Sequence, residues 1–190
     1  SNIQLYSALR QRANELAILN SVSTGVSSTL DLERVLEIIT VSIGPFIGCQ
    51  KTAVFLLNDT GNELYLARSH GLSPAYVEGA RRIRVAPGER GLVAAQRRSL
   101  SVPDVRTTPG VQYLLPIAEA EGFRAFAESP LMAQQGVIGT LAGYFSDVHA
   151  FTQSDMDLIE TFTNQAAAAI NNARLYKRTD QALARRVEEL

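Results

Sequence analysis

Few residues in this chain have the chemistry for catalysis or metal binding. Its 190 residues include one cysteine, Cys49, and two histidines, His70 and His149. A zinc site built from a Cys-x-x-Cys pair needs two cysteines, and one cysteine cannot form an internal disulfide. The sequence has no glycine-rich phosphate loop, and no Ser/His/Asp set can be assembled from sequence context. We therefore expect neither a metal site nor catalytic residues, so the domain itself is not expected to be an enzyme.

Six arginines and one acidic residue give the segment between residues 81 and 98 a local excess of positive charge. Two interpretations remain open: an anion-binding site at a helix start after Gly88, or a solvated face, which is the commoner role of such runs. The formal net charge is −1 and no aromatic residues interleave the arginines, so we expect no contact with nucleic acid or membrane. The arginines are Arg81, Arg82, Arg84, Arg90, Arg97 and Arg98.

A small-molecule site is predicted around the aperiodic segment 104–126 and the strands near it. Such sites combine apolar and aromatic walls with a few polar groups. Phe126 and Glu128 are two residues apart on a predicted strand, so both should face the same way. Plain core packing is the alternative for every candidate. The candidate pocket residues are Leu92, Asp104, Tyr113, Phe123, Phe126, Glu128 and Tyr144.

The elements that would position these residues follow from periodicity. Apolar spacing predicts two helices before residue 48, with Asp31 as the N-cap of the second and Gly44-Pro45 at its end. Alternating β-branched and aromatic residues predict the strands, and Ser73-Pro74 and Gly91 are expected to start short helices. The predicted strands are 52–57, 63–69, 82–85, 100–102, 125–132 and 137–146, the last two turning at 134–136.

The C-terminal helix has the clearest pattern. Thr152 is expected to cap it with Asp155, and apolar residues then alternate by four and three, with Asp180 as the only polar member. A helix that extends beyond its domain needs a partner to bury its apolar stripe, so we predict a parallel homodimer. The apolar stripe of the N-terminal helix can join this dimer in a four-helix bundle. For residues 162–173, packing on the chain's own domain is the alternative. The predicted interface residues are Leu5, Leu9, Leu16, Leu19, Phe162, Ala166, Ala169, Ala173, Tyr176, Leu183, Val187 and Leu190.

The order of short motifs over about residues 30–176 resembles a GAF domain. The most specific pieces are Asp31-Leu-Glu-Arg-Val-Leu, Gly136-Val-Ile-Gly-Thr-Leu and Asn164-Gln-Ala-Ala-Ala-Ala-Ile-Asn-Asn-Ala-Arg-Leu-Tyr. The resemblance implies an α/β fold of the α+β type. A central antiparallel sheet would carry helices on one face, a ligand pocket on the other, and long N- and C-terminal helices at its flanks. We predict a linker helix at 1–29, the sensor domain at 30–176 and a signalling coiled-coil helix at 177–190.

The resemblance also implies a function. We expect a cytoplasmic small-molecule sensor of a bacterial signalling protein, a sensor histidine kinase, with its output domain in the same parent chain. A ligand-free dimerisation spacer is the alternative, and a tetrapyrrole-binding domain or an enzyme is less favoured. The ligand is unknown. Cys49 precedes the first strand, outside the region where a bilin would be tethered, so we expect a small buried cysteine and no covalent bilin.

Overall fold

The fold of this chain is built on a six-stranded antiparallel sheet with the strand order β3-β2-β1-β6-β5-β4. The computed structural model describes residues 2–5 and 31–190. The strands are β1 (Lys51–Leu57), β2 (Glu63–His70), β3 (Ile83–Arg84), β4 (Leu100–Val102), β5 (Ala125–Ala133) and β6 (Gly136–Phe145). The helices are α1 (Leu32–Ile47), α2 (Pro74–Gly79), α3 (Leu92–Gln96), α4 (Leu115–Glu121) and α5 (Gln153–Glu188), with a 3-10 turn at Gln112–Leu114.

The two faces of the sheet are buried by different material. The two long helices, α1 and α5, cover one face, and their apolar residues form a core with alternate residues of the strands. The short helices α2 to α4 and the loops between them cover the other face and form a second core. The α+β fold with its antiparallel sheet is therefore confirmed.

Local chemistry explains where α1 begins and ends. The Asp31 carboxylate accepts a hydrogen bond from the Glu33 amide, as expected of an N-cap. The predicted end at Gly44-Pro45 is wrong, since Pro45 lies inside the helix, which continues to Gly48 in the left-handed conformation at φ 83°. Pro45 removes only one backbone donor, the one that would bond to the Val41 carbonyl four residues earlier. Val41 is exposed, so water can bond to that carbonyl instead.

The first half of α5 belongs to the core of its own domain. Its capping box is formed as expected, with Thr152 and Asp155 each accepting a hydrogen bond from the other's backbone amide. The seam residues of this half are buried against the chain itself, and this corrects their assignment to an interface with a second copy. They are Phe162, Ala166, Ala169 and Ala173.

The second half of α5 leaves the domain. The helix is not interrupted at residue 176. From this residue onward the apolar seam residues are exposed, with exposed fractions of 51% for Tyr176, 57% for Leu183 and 72% for Val187. Leu190 and Leu5 are exposed as well. The interface candidates Leu9, Leu16 and Leu19 lie outside the described residues. In the ranges that the structure describes, no helix is both long and apolar enough to cross a membrane.

The capping box at the start of α5 is expected to stabilise the whole domain. Thr152→Ala removes the side-chain acceptor for the Asp155 amide, so the free energy of unfolding should fall by about 1 kcal/mol in urea denaturation. Thr161→Ala is the matched control, because the exposed Thr161 hydroxyl only bonds back to the Asp157 carbonyl within the helix. Equal losses in both variants would contradict the role of the cap.

Candidate functional site

A small cavity lies between the sheet and its cover of short helices. Its volume is about 30 Å³, enough for one or two water molecules. All the pocket candidates except Asp104 line it, together with residues that the sequence did not single out. The lining residues are Phe55, Leu64, Tyr76, Ile83, Arg90, Leu92, Val93, Leu100, Tyr113, Leu114, Ile117, Phe123, Phe126, Glu128 and Tyr144.

Aromatic rings form much of the cavity wall. Tyr144 on β6 lies opposite Phe126 on β5, and its ring centroid is 4.8 Å from that of Phe123. Its hydroxyl shares a hydrogen bond of 2.6 Å with the hydroxyl of Tyr76 on α2. Burial raises the pKa of both tyrosines. These hydroxyls are therefore neutral and tie α2 to the sheet across the cavity.

Glu128 places a carboxyl group in this apolar wall. Strand parity puts its side chain on the same face as Phe126, as the sequence predicted. Burial raises its pKa to about 7, while the nearby Thr140 hydroxyl and the Arg90 charge oppose that rise. The Thr140 hydroxyl is buried beside this carboxyl and has no other hydrogen-bond partner among the described residues. Half of the Glu128 carboxyls are therefore charged near neutral pH.

Arg90 brings a positive charge to the other side of the same cavity. Its guanidinium lies 5.0 Å from the centre of the Tyr76 ring, and its Nη1 donates to the Gly79 carbonyl at 3.2 Å. Its Nη2 is buried and has no partner among the described residues. Arg90 and Glu128 thus face one cavity without forming a salt bridge, so the Arg90 charge and the ionised form of Glu128 both lack an ion-pair partner.

Close backbone packing fixes the loop that carries Arg90. A Cβ at Gly91 would stand 2.1 Å from the Arg84 carbonyl oxygen, so only glycine allows this approach to β3. Glu89, on the other side of Arg90, accepts a hydrogen bond of 3.0 Å at its carbonyl from the Tyr113 hydroxyl. The backbone on both sides of Arg90 is therefore attached to the walls of the cavity.

Glu121 positions α2 and hence Tyr76. Its carboxylate accepts hydrogen bonds from the Ser73 amide at 2.7 Å and the Ser73 hydroxyl at 2.6 Å, and Lys51 lies 3.4 Å away. Ser73 is the N-cap of α2, because its hydroxyl accepts from the Tyr76 amide. Burial alone would raise the Glu121 pKa, but the Ser73 bonds and Lys51 together lower it. This carboxylate stays charged and holds the cover of the cavity in place.

Asp104 does not belong to the cavity, which corrects its place among the pocket candidates. It accepts hydrogen bonds from the Arg106 amide at 3.0 Å and from Arg124 at 3.0 Å, and both bonds lower its pKa. An aspartate at the start of an irregular segment often bonds to its own backbone two residues on. Asp104 therefore shapes the loop between β4 and α4.

The cysteine, His149 and the surface arginines have structural roles and do not contribute to the cavity. Cys49 is buried beside Phe145, and burial raises its pKa to about 12, so its thiol is inert. His149 stacks on Phe145 with 4.1 Å between ring centroids. Of the arginine run, Arg82 pairs with Glu63 on the surface, and only Arg90 enters the cavity. In the described part of the chain, no cluster of metal-ligating side chains occurs.

Sequence reasoning missed Tyr76 and Arg90 as cavity residues. A signal for Arg90 existed, because Gly88 and Gly91 flank it and paired glycines mark backbone that approaches other groups closely. Tyr76 gave no comparable signal, since one tyrosine in a short predicted helix is equally typical of core packing.

The family model of the GAF domain matches residues 31–170. No curated protein matches the sequence. Among solved structures, the GAF domain of a phosphoenolpyruvate-protein phosphotransferase from Coxiella burnetii has a TM-score of 0.73 and 23% identity, covering 87% of this chain and 98% of that chain.

Two further structures share the fold. A domain assigned to a two-component sensor histidine kinase from Sinorhizobium meliloti 1021 has a TM-score of 0.63 and 20% identity, covering 78% of this chain and 96% of that chain. The free methionine-R-sulfoxide reductase from Neisseria meningitidis, solved with its substrate, has a TM-score of 0.68 and 19% identity, covering 85% of this chain and 91% of that chain. At these identities the likeness shows the fold alone.

The Glu128 carboxyl should make stability depend on pH. Its folded pKa of about 7 exceeds its usual 4.5, so between these values the folded state binds more protons than the unfolded state. The free energy of unfolding should therefore fall by roughly 2–3 kcal/mol from about pH 5 to pH 8, relative to Glu128→Gln. Urea denaturation across this range measures it, with the exposed Glu119→Gln as the control for a lost charge. Parallel pH profiles of the wild type and Glu128→Gln would contradict the assignment.

The Gly91 contact should be specific to that glycine. Gly91→Ala forces a methyl group into the Arg84 carbonyl, so we expect a loss of roughly 1–3 kcal/mol in the free energy of unfolding. Gly79→Ala is the matched control, because no atom lies within 4 Å of the added methyl. A thermal melt of both variants compares them, and a tolerated Gly91→Ala would show that the backbone on this side of Arg90 is free to move.

Proposed function

This chain belongs to the GAF domain family, and we propose that it is a regulatory domain that senses a small molecule in the cavity and transmits its occupancy through α5. The observation that carries the proposal concerns β5. One face of this strand presents Phe126 and Glu128 to the cavity, and the other packs Leu131 into the core shared with α5. A change in the cavity therefore displaces a strand that touches the exit helix.

A second contact links the same hairpin to α5. Gln135 in the turn between β5 and β6 donates a hydrogen bond of 2.9 Å to Asn171 of α5. Asn171 lies close to the point where α5 stops being buried, after Ala173. A ligand that favours one position of β5 would shift the population of α5 positions through these two contacts.

We propose that the exposed half of α5 pairs with the same helix of a second copy. Beyond Tyr176 its apolar seam has no cover within the described residues, whereas Arg185, Arg186, Glu188 and Glu189 flank the seam with both charges. The paired helices would lead to an output domain in the same parent chain. A bacterial sensor histidine kinase is the proposed parent, and a domain of such a kinase shares the fold.

The small cavity favours a second candidate function, a spacer that holds two copies together without a ligand. A volume of about 30 Å³ leaves no room for a metabolite in this conformation. A spacer, however, gains nothing from the charged groups of Arg90 and Glu128 in an apolar wall, since each costs desolvation free energy. This cost supports the sensor over the spacer.

Native mass spectrometry of the purified chain separates the two functions. A sensor is expected to retain a small molecule that is released on unfolding, or to be stabilised by added metabolites, by about 3 kcal/mol at a hundredfold excess over the dissociation constant. Leu100→Trp, which fills the cavity from β4, should abolish both effects in a folded protein, with a loss of roughly 1–3 kcal/mol in the free energy of unfolding because the added ring exceeds the cavity of about 30 Å³. A chain that retains nothing and responds to no metabolite is a spacer.

The dimer has its own test in sedimentation velocity. Leu183→Glu places a charge in the exposed seam and should weaken dimerisation by about tenfold or more, whereas Gln181→Glu adds the same charge outside the seam and should not. A wild-type chain that remains monomeric at high micromolar concentration would contradict the proposed pairing.

A further inference from the structure

We infer that the cavity binds a small zwitterion of the amino-acid type, whose carboxylate pairs with Arg90 and whose ammonium group pairs with Glu128; this inference rests on the proposed sensor function. Arg90 and Glu128 carry opposite charges and line the same cavity, yet they form no ion pair with each other or with any other described residue. A ligand that carries both a negative and a positive group can pair with both of them.

The guanidinium of Arg90 is prepared for an acceptor. Tyr76 supports it from one side, and Nη1 is held by the Gly79 carbonyl, so the direction of the remaining donors is set. The buried Nη2 has no acceptor. A carboxylate suits this group, because a fixed guanidinium donates through neighbouring nitrogens to both of its oxygens.

Glu128 selects for the opposite end of the ligand. Its carboxyl forms no salt bridge with the described residues, and the group beside it, the Thr140 hydroxyl, is uncharged. An ammonium group offers three donors and a compensating charge. A ligand with only a carboxylate would leave Glu128 unpaired, and one with only an amine would leave Arg90 unpaired, so each would bind less tightly than the zwitterion.

The rest of the cavity specifies an apolar body for the ligand. Apart from these two groups, its wall consists mainly of aromatic and aliphatic side chains, including Leu92, Ile117, Phe123 and Phe126. These favour a leucine-like or phenylalanine-like side chain over a polar one. The cavity must enlarge to admit it, and we expect most of this enlargement in the cover of short helices and loops, with a smaller shift of β5 beneath it.

Matched probes test the inference by isothermal titration calorimetry on the whole chain. The probes are L-leucine, 4-methylpentanoate, which lacks the ammonium group, and 3-methylbutylamine, which lacks the carboxylate, together with L-phenylalanine, 3-phenylpropanoate and 2-phenylethylamine. At least one amino acid should bind roughly 10–100-fold more tightly than its acid and its amine. Equal binding within each set, or no binding by either amino acid, would overturn the inference.

Two variants assign the two ends of the ligand. Arg90→Gln should reduce amino-acid affinity to that of the amine, and Glu128→Gln should reduce it to that of the acid. Arg82→Gln, whose arginine pairs with Glu63 on the surface, and Glu119→Gln are the matched controls outside the cavity and should bind like the wild type. Loss of affinity in the controls, or none in the cavity variants, would contradict the assignment.

The pH dependence of binding gives an independent readout. Only ionised Glu128 pairs with an ammonium group, so with its pKa near 7 the affinity should rise about tenfold from pH 6 to pH 8. The charged and titratable groups around Glu128 are Arg90, Tyr76, Tyr113 and Tyr144, and the tyrosine pKa values are raised above their usual 10. The rise should vanish in Glu128→Gln, and its persistence there would place the ammonium group elsewhere.

The outcomes keep this inference separate from the sensor function. If neither amino acid binds but native mass spectrometry finds a retained molecule that is not a zwitterion, the inference fails and the sensor stands. If neither amino acid binds, nothing is retained and no added metabolite stabilises the chain, both fail.

Discussion

The structure depends on the alternation of side chains along β5 and β6, because both faces of the sheet are buried and the two faces differ in chemistry. On the helix side, Leu131 and Leu141 meet the apolar surfaces of α1 and α5. On the other side, Phe126, Glu128 and Tyr144 meet the cavity. A slip of one residue in the register of β5 would put a carboxyl group into the dry core between sheet and helices. The pairing of these strands therefore sets both the stability of the domain and the chemistry of its cavity.

The two sides of the cavity are held by different forces. Its floor consists of hydrogen-bonded strands with an apolar core beneath them, and such regions open only with the whole domain. Its cover packs on the sheet through a second apolar core and adds specific polar contacts, among them the bonds from Ser73 to Glu121 and the hydroxyl pair of Tyr76 and Tyr144. The short helices of the cover have few residues each, so they depend on these contacts for their positions. A domain of this design opens most easily at its cover, while β5 carries smaller displacements to the opposite face.

The helix α5 joins two environments. Up to Ala173 it is part of the domain, and beyond this residue its apolar side chains are exposed. No residue interrupts the helix between the two halves, so a small displacement near Asn171 carries to its end. The capping box at Thr152 fixes the start of the helix beside β6. The proposed sensing at the cavity and the proposed pairing beyond the domain would thus be connected by one continuous helix that contacts β5 on the way.

The sequence alone determined where several helices begin and which side chains of a strand share one face of the sheet. The cap at Asp31, the box at Thr152, the short helix after Ser73 and the common face of Phe126 and Glu128 all depend on residues close together in the chain. The family resemblance ordered these elements into the correct fold, and most candidate pocket residues met in one cavity because the fold places that face of the sheet under the short helices.

Only the tertiary structure decided which polar groups lack partners. Asp104 and Arg90 both lie in irregular segments, yet Asp104 bonds to its own loop and to Arg124, while Arg90 reaches the cavity beside Tyr76. The same limit applies to α5, where one heptad pattern continues from buried Ala173 to exposed Tyr176. A sequence pattern indicates which side chains can be buried or can bind a partner. Whether another residue of the same chain already covers or pairs with such a side chain depends on contacts between residues far apart in the sequence.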